Sequence, residues 1–294
     1  PIGWWEVTAS WLGTVEVEGD ISYVTKFHML PVLDTVHPIK FGVIGPMQWV
    51  QGAGMKQAGQ LAAEQINEAG GILGRKVVIK TGDEGSLPAE GVPEMTRLCV
   101  DEKVHFVLGG FRTEITDPMR EVAMERRIIY IICGSATTEL IDCRETLAYP
   151  CHRCVYCDYP KYKYLFRATP TNSNILFSGY LVPYMKEYLI PNILKPKYGS
   201  VKVAAIVENL AWTYQLRYMI DTAPDFVFGE AKLVYKAYVS PLATDFSAQL
   251  SAIKSSGAQL IFESFSGEEG LAFIKQWGFS QIPAVPVGIN VLSQ

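Results

Sequence analysis

Ile39-Lys40-Phe41-Gly42-Val43-Ile44-Gly45-Pro46-Met47 opens as a short β-rich run, and Gly54-Met55-Lys56-Gln57-Ala58-Gly59-Gln60-Leu61-Ala62 follows it at helical spacing. Ile66-Asn67-Glu68-Ala69-Gly70-Gly71-Ile72-Leu73-Gly74-Arg75 then ends the helix and leads into a second β-rich run, 76–81. The pattern predicts a helix over 51–69 with Met55, Ala58, Ala62, Ile66 and Ala69 inward, and Gly70-Gly71 stands where a left-handed terminator is needed. Strand, helix and strand in this order form a βαβ unit, the seed of a parallel sheet.

The same alternation continues outward. Strand runs are predicted at 105–109 and 128–133. Between the strands lie a helix opening at Pro88, with Val92, Met95, Leu98 and Cys99 inward, and one from Glu114 to Arg126, with Ile115, Met119, Val122 and Ala123 inward. A second series follows, with helices over 173–190, 212–222, 246–256 and 268–277 and strands over 202–208, 231–239, 259–263 and 284–289.

The fold class is therefore α/β: two doubly wound parallel-sheet lobes joined by hinge strands. Residues 1–38 form an N-terminal extension and 39–163 the first lobe, with a Cys-rich loop at 142–159. Residues 164–171 cross between lobes, 172–283 make the second lobe, and 284–294 begin a second crossing and a return to the first lobe. Parallel α/β sheets bind ligands at the carboxyl ends of their strands, so the loops after the strands should line a cleft.

Composition excludes several classes. The chain has 49% apolar and 19% charged residues and a formal net charge of -4 over 294 residues, enough apolar side chains for two cores and no basic stripe for a phosphate backbone. Nucleic acid is not an expected partner. The most apolar stretch, Ile175 to Ile190, carries Lys186 and Glu187 and does not read as a membrane span. Gly52-Ala53-Gly54 after a strand suggests a dinucleotide fingerprint, but Gln57 takes the place of its third glycine. No nucleophile elbow, zinc-protease or phosphate-loop motif occurs, and His28, His37, His105 and His152 are scattered. We expect no enzyme and no cofactor.

Four of six cysteines, Cys143, Cys151, Cys154 and Cys157, crowd into one loop. Three readings stay open: disulfides in an exported protein, a tetrahedral zinc site in a reducing compartment, or free thiols. Cys99 and Cys133 read as core thiols. The N-terminal extension holds Trp4, Trp5 and Trp11 with a β-like run from Thr14 to Val17, and reads either as a self-assembly or anchoring segment or as an edge hairpin.

The segments quoted at the outset, with Phe166-Arg167-Ala168-Thr169-Pro170-Thr171 and Asp245-Phe246-Ser247-Ala248-Gln249-Leu250, resemble the leucine/isoleucine/valine-binding protein family, the type I periplasmic-type receptors of branched-chain amino acid and amide ABC transporters. The resemblance runs from Ile39 to Asn290. Family members usually continue about a hundred residues further, so the chain is expected to be a fragment or to be completed by another chain. The resemblance implies an extracytoplasmic solute-binding protein, anchored by a segment outside this sequence, that closes on an amino acid, amide or small carboxylate and delivers it to a permease. A surface-assembly subunit or a ligand-sensing module on the same fold is the alternative.

Carried over by position, the family's hydroxyl donors fall on Thr113 in the loop Gly110-Phe111-Arg112-Thr113-Glu114, and on Ser135 and Thr137 in Gly134-Ser135-Ala136-Thr137, with the register between Ala136 and Thr137 open. Helix capping is the competing role for these hydroxyls. Trp49 and Trp212 match aromatic walls. Arg112 is read as a forked clamp for a carboxylate or as a surface partner of Glu114, and Glu208 and Asn290 as partners of an amino group.

Overall fold

The computed structural model describes residues 14–15, 27–28, 37–85, 87–142, 154–169 and 172–289. Its first sheet holds β1 (Ile39–Gly45), β2 (Val77–Asp83), β3 (Phe106–Gly109), β4 (Ile129–Ile132) and β5 (Leu165–Arg167), ordered β2-β1-β3-β4-β5 and parallel throughout. Helices α1 (Val50–Glu68), α2 (Pro88–Val100) and α3 (Thr113–Glu125) connect the first four strands. The second sheet holds β6 (Lys202–Glu208), β7 (Lys232–Val239), β8 (Leu260–Ser264) and β9 (Val285–Ile289), ordered β9-β8-β6-β7 and also parallel. Its helices are α4 (Tyr214–Thr222), α5 (Pro224–Phe228), α6 (Ser247–Ser256) and α7 (Glu268–Ser280). Two α/β lobes result, as the alternation of periods predicts.

The Ile-Asn-x-x-Gly-Gly signature acts through local hydrogen bonds. Gly71 N–H donates to Ile66 O at 2.8 Å and Gly70 N–H to Asn67 O at 3.2 Å, with φ of +78° and +98° that glycine alone adopts without strain. Asn67 takes Val77 from both sides, Nδ2 to the carbonyl at 2.8 Å and Oδ1 from the N–H at 2.7 Å. The end of α1 is thereby tied to the start of β2.

The face that α1 buries differs from the expected one. Gly52 and Ala63 are buried and Met55 and Ile66 half-buried, whereas Ala58, Ala62 and Ala69 are exposed. The helix is turned so that Gly52 and Gly59 face β1 and the loop after it. A Cβ on Gly52 would stand 2.2 Å from Pro46 O, and one on Gly59 would stand 3.0 Å from Val43 Cγ2. Residues without side chains do not register in an apolar tally, so the close-contact face escapes it. Gly52 is needed for this approach, which accounts for a glycine that resembled part of a phosphate-binding turn.

Strand β5, which falls in the expected crossing, is an edge strand of the first sheet. The predicted second crossing proves, over Val285–Ile289, to be the edge strand of the second sheet; residues 290–294, Asn290 among them, lie outside the described residues. The helix predicted to end at Ile190 continues to Tyr198, with wide π turns over Ile175–Leu181 and Tyr184–Leu194. Pro191 cannot donate to Glu187 O, and Asn192 Nδ2 supplies that carbonyl at 3.1 Å and Tyr188 O at 3.0 Å. Within the extension, Thr14–Val15 pairs antiparallel with Phe27–His28, a hairpin; the tryptophans lie outside the described residues.

The second lobe is packed on both faces of its sheet, with Val203, Ala205 and Val207 facing Phe177, Leu216 and Phe228, and Ala204 and Ile206 facing Phe246, Phe265 and Phe273. In the first lobe one cluster, around Ile44, Leu98, Val107, Met119 and Tyr130, fills the side covered by α2 and α3. Cys99 is buried in that cluster and Cys133 half-buried; burial pushes the Cys99 thiol up to about 11. Cys154 is buried, and Cys157 is disulfide-bonded. Cys143 and Cys151 lie outside the described residues.

Gly59→Val should destabilise the protein by about 1–3 kcal/mol, because α1 must lift from Val43. Gly54 has open space where a methyl group would stand, so Gly54→Ala should instead gain about 0.5–1 kcal/mol. Equilibrium urea unfolding of both variants tests the assignment, and equal effects would refute it.

Candidate functional site

Strand order reverses once in each sheet, between β1 and β3 and between β6 and β8. At such a reversal neighbouring connections leave to opposite faces and open a crevice at the strands' carboxyl ends. The loops after β1 and β3 carry Trp49 and Arg112, and those after β6 and β8 carry Trp212 and Ser266. The two crevices face each other, and between them lies a cavity of about 40 Å³ lined by Arg112, Thr113 and Ala136 from the first lobe and Leu176, Trp212 and Ser266 from the second.

Arg112 is the centre of this site. Its Nη2 lies 3.3 Å from Glu269 Oε1 and 3.4 Å from Oε2, and the two side chains are 4% and 3% exposed, so the pair is buried between the lobes. The same nitrogen donates to Pro241 O at 3.3 Å, and the guanidinium lies 4.5 Å from the centre of the Trp49 ring. Arg112 therefore does not pair with Glu114 at the surface. Glu114 instead accepts from Ala211 N–H of the second lobe at 2.5 Å, and Ser173 N–H donates to Ala136 O at 2.8 Å across the same gap.

On the second lobe Glu208 is fully buried and accepts from Trp212 Nε1. Burial, then the adjoining Glu269 carboxyl, push the Glu208 carboxyl well above the usual carboxylate range. Glu208 therefore keeps its proton beside the Glu269 carboxylate. Trp212 stacks on Phe177 with centroids 5.4 Å apart, and is at once core residue and cavity wall. Gly267 allows the backbone to pass close to the ion pair: a Cβ there would stand 2.8 Å from Glu269 Oε2 and 2.9 Å from Arg112 Nη2.

The hydroxyls divide by role. Thr113 Oγ1 and Thr137 Oγ1 share a hydrogen bond of 2.8 Å, and neither caps a helix end by its side chain. Ser135 Oγ is turned to Thr116 Oγ1 at 2.7 Å and Phe111 O at 3.2 Å, which braces the loop. Arg167, at the end of β5, donates to Thr137 O and holds the fourth loop from below. Glu208 lies behind Trp212, and Trp49 lies over Arg112.

Sequence reasoning missed Glu269, since it stands in the first turn of a helix where an acid is ordinary. It also missed Glu84, whose Oε1 accepts from Phe111 N–H at 2.9 Å, and Glu263, fully enclosed at the carboxyl end of β8. Burial pushes both carboxyls up to about 8. Among the described residues no group of three or more His, Cys, Asp or Glu forms a metal site, and no helix is long and apolar enough to cross a membrane.

A family model described as "Periplasmic binding protein" matches residues 38–287. The chain is 28% identical over 239 residues to Leu/Ile/Val-binding protein homolog 3 of Brucella melitensis, a match covering 79% of this chain and 56% of that protein. It is 33% identical over 109 residues to Leu/Ile/Val-binding protein homolog 1 of Brucella abortus, covering 37% and 29%. Among solved structures, the branched-chain amino acid transporter substrate binding protein LivJ of Streptococcus pneumoniae, in complex with isoleucine, superposes with a TM-score of 0.62 at 20% identity over 85% of this chain and 64% of that one. An ABC-transporter solute binding protein of R. palustris, in complex with 4-hydroxybenzoate, superposes with a TM-score of 0.64 at 21% identity over 87% and 62%. These two likenesses concern the fold. The chain thus spans little more than half the length of the first of the curated relatives.

For Glu263 the folded-state carboxyl titrates above its unfolded value, so the protein binds that proton more tightly when folded and loses stability as pH rises toward about 8. Glu263→Gln should remove this loss: its melting temperature should match or fall below wild type near pH 5 and exceed it by several degrees near pH 8.5. Parallel curves for the two proteins would contradict the burial assigned here.

Proposed function

Because the chain belongs to the periplasmic binding protein family, we propose that it is an extracytoplasmic solute-binding protein that captures a small amino acid or related carboxylate between its lobes and delivers it to an ABC-transporter permease. The relatives favour this reading over a surface-assembly role, and the family is one of solute-binding rather than catalytic proteins.

The buried Arg112–Glu269 pair carries the reading. A guanidinium offered by one lobe and a carboxylate offered by the other are the complements of a zwitterion's two charges. A ligand carboxylate can take the planar fork of Arg112 in two parallel hydrogen bonds, while an ammonium takes Glu269. In the closed arrangement each side chain holds the place of the ligand group that carries its own sign of charge. Thr113 and Thr137 add neutral donors, and the face of Trp212 with Leu176 offers an apolar wall for the rest of the solute.

A 40 Å³ space has room for a water or two, not for an amino acid. Entry therefore requires the lobes to part, breaking Arg112–Glu269, Glu114–Ala211 and Ser173–Ala136. Closure on the solute re-forms a bridge through it, and the equilibrium shifts by the solute's differential affinity for the closed state. No bond is made or broken.

A thermal-shift panel of amino acids, amides and small carboxylates tests this directly. The best amino acid should lose about 100-fold in affinity with Arg112→Met, the scale expected for removing one partner of a buried charged contact. Glu269→Gln should weaken amino acids more than carboxylates that lack an amino group. Wild-type affinity in Arg112→Met, or a panel without any hit, would remove this reading.

A further inference from the structure

Two consecutive acids, Asp83 at the end of β2 and Glu84 just after it, reach the loops that carry Trp49 and Arg112. Asp83 Oδ1 accepts from Met47 N–H and from Gly85 N–H, each at 3.0 Å, and so fixes the start of the loop after β1. Glu84 N–H donates to Gly45 O at 3.0 Å. Its carboxyl passes across the end of β1 to Phe111 N–H at 2.9 Å, with the Arg112 backbone N–H beside it. Gly110, at φ +83°, makes this turn possible, and a Cβ there would stand 2.3 Å from the Tyr130 hydroxyl. The two loops then meet through their side chains, Arg112 over Trp49 and Trp49 edge-on to Phe111 with centroids 6.1 Å apart.

Glu84 is 1% exposed, and among the described residues its Oε2 has no hydrogen-bond partner; Arg112 Nε also has none. The charged and titratable groups that face Glu84 are Asp83 beside it, Arg112 from the loop after β3 and Tyr130 from β4. Of these described neighbours, Arg112 alone is a cation.

We propose that Glu84 is a positioning residue for the anion-binding loop: it sets where the Arg112 guanidinium stands and, through its own proton, how much positive charge that guanidinium presents to a ligand carboxylate. This rests on the reading of Arg112 as the carboxylate anchor. Burial pushes the Glu84 carboxyl up to about 8, against the pull of the Phe111 and Arg112 N–H groups. Below that pH Glu84 is neutral and the charge of Arg112 is offset by Glu269 alone, which the ligand displaces. Above it a second, undisplaceable carboxylate opposes the same guanidinium and repels an incoming anion. Affinity for a carboxylate therefore falls as pH rises through about 8, a dependence that a merely structural acceptor would not produce.

The test begins without ligand. In ¹⁵N-labelled protein titrated from about pH 6 to 10, the Phe111 amide and the Arg112 Nε–H resonances should move together with a midpoint near 8, and should stay flat in Glu84→Gln, which keeps a carbonyl acceptor for Phe111. A Phe111 amide that does not titrate, or that titrates alike in Glu84→Gln, overturns the proposal. Calorimetry with isoleucine and with benzoate as probes follows. The dissociation constant should rise about tenfold between pH 7 and 9 in wild type and stay level in Glu84→Gln, one pH-unit's worth of coupling. A wild-type constant that does not change with pH overturns the proposal. If the resonances titrate as stated and neither probe binds, the control of Arg112 by Glu84 holds and the carboxylate-binding reading is what fails.

Discussion

A buried ion pair, Arg112 with Glu269, joins the two lobes of this protein. Removing two charges from water costs several kcal/mol per ion, and their attraction offsets this only when further partners satisfy what remains exposed to the apolar surroundings. Here the Trp49 face and Pro241 O attend the guanidinium, and the proton held at Glu208 attends the carboxylate. The guanidinium and its tryptophan belong to the first lobe and the two carboxyls to the second, so only the ion pair itself needs both. With the lobes together, each ion of the pair finds its partner without water.

The scaffold around the pair is built to hold its members still. In front of Glu208, Trp212 is locked by stacking on Phe177 in a core that also packs Phe228 and Phe262. Behind Arg112, Glu84 and Asp83 bind the two loops from beneath, and Arg167 and Ser135 do the same for the loop after β4. Polar groups at the ends of the strands brace the site, while the apolar middle of each sheet supplies the stability that lets such groups be buried.

The glycines show the same economy of space. Gly52 and Gly59 bring α1 onto β1, Gly110 turns the chain under Arg112, and Gly267 lets the backbone skirt the ion pair. Each marks a close approach that a side chain would prevent.

The sequence by itself determined the order of strands and helices, the two α/β lobes and the loops that form the cleft, because periodicity and turn chemistry are written among near neighbours. Asn67 with Gly70-Gly71 is the clearest case: its hydrogen bonds span ten residues or fewer. Arg112 and Trp212 were legible as residues of cleft loops. Only the tertiary structure decided which face α1 buries, that β9 pairs with β8, and that Glu269 and Glu84 join the site. Glu269 lies 157 residues from Arg112 and Glu84 lies 27 from Phe111. Such pairings follow from where strand order reverses and from how one lobe closes on the other, and no local pattern in the chain encodes either.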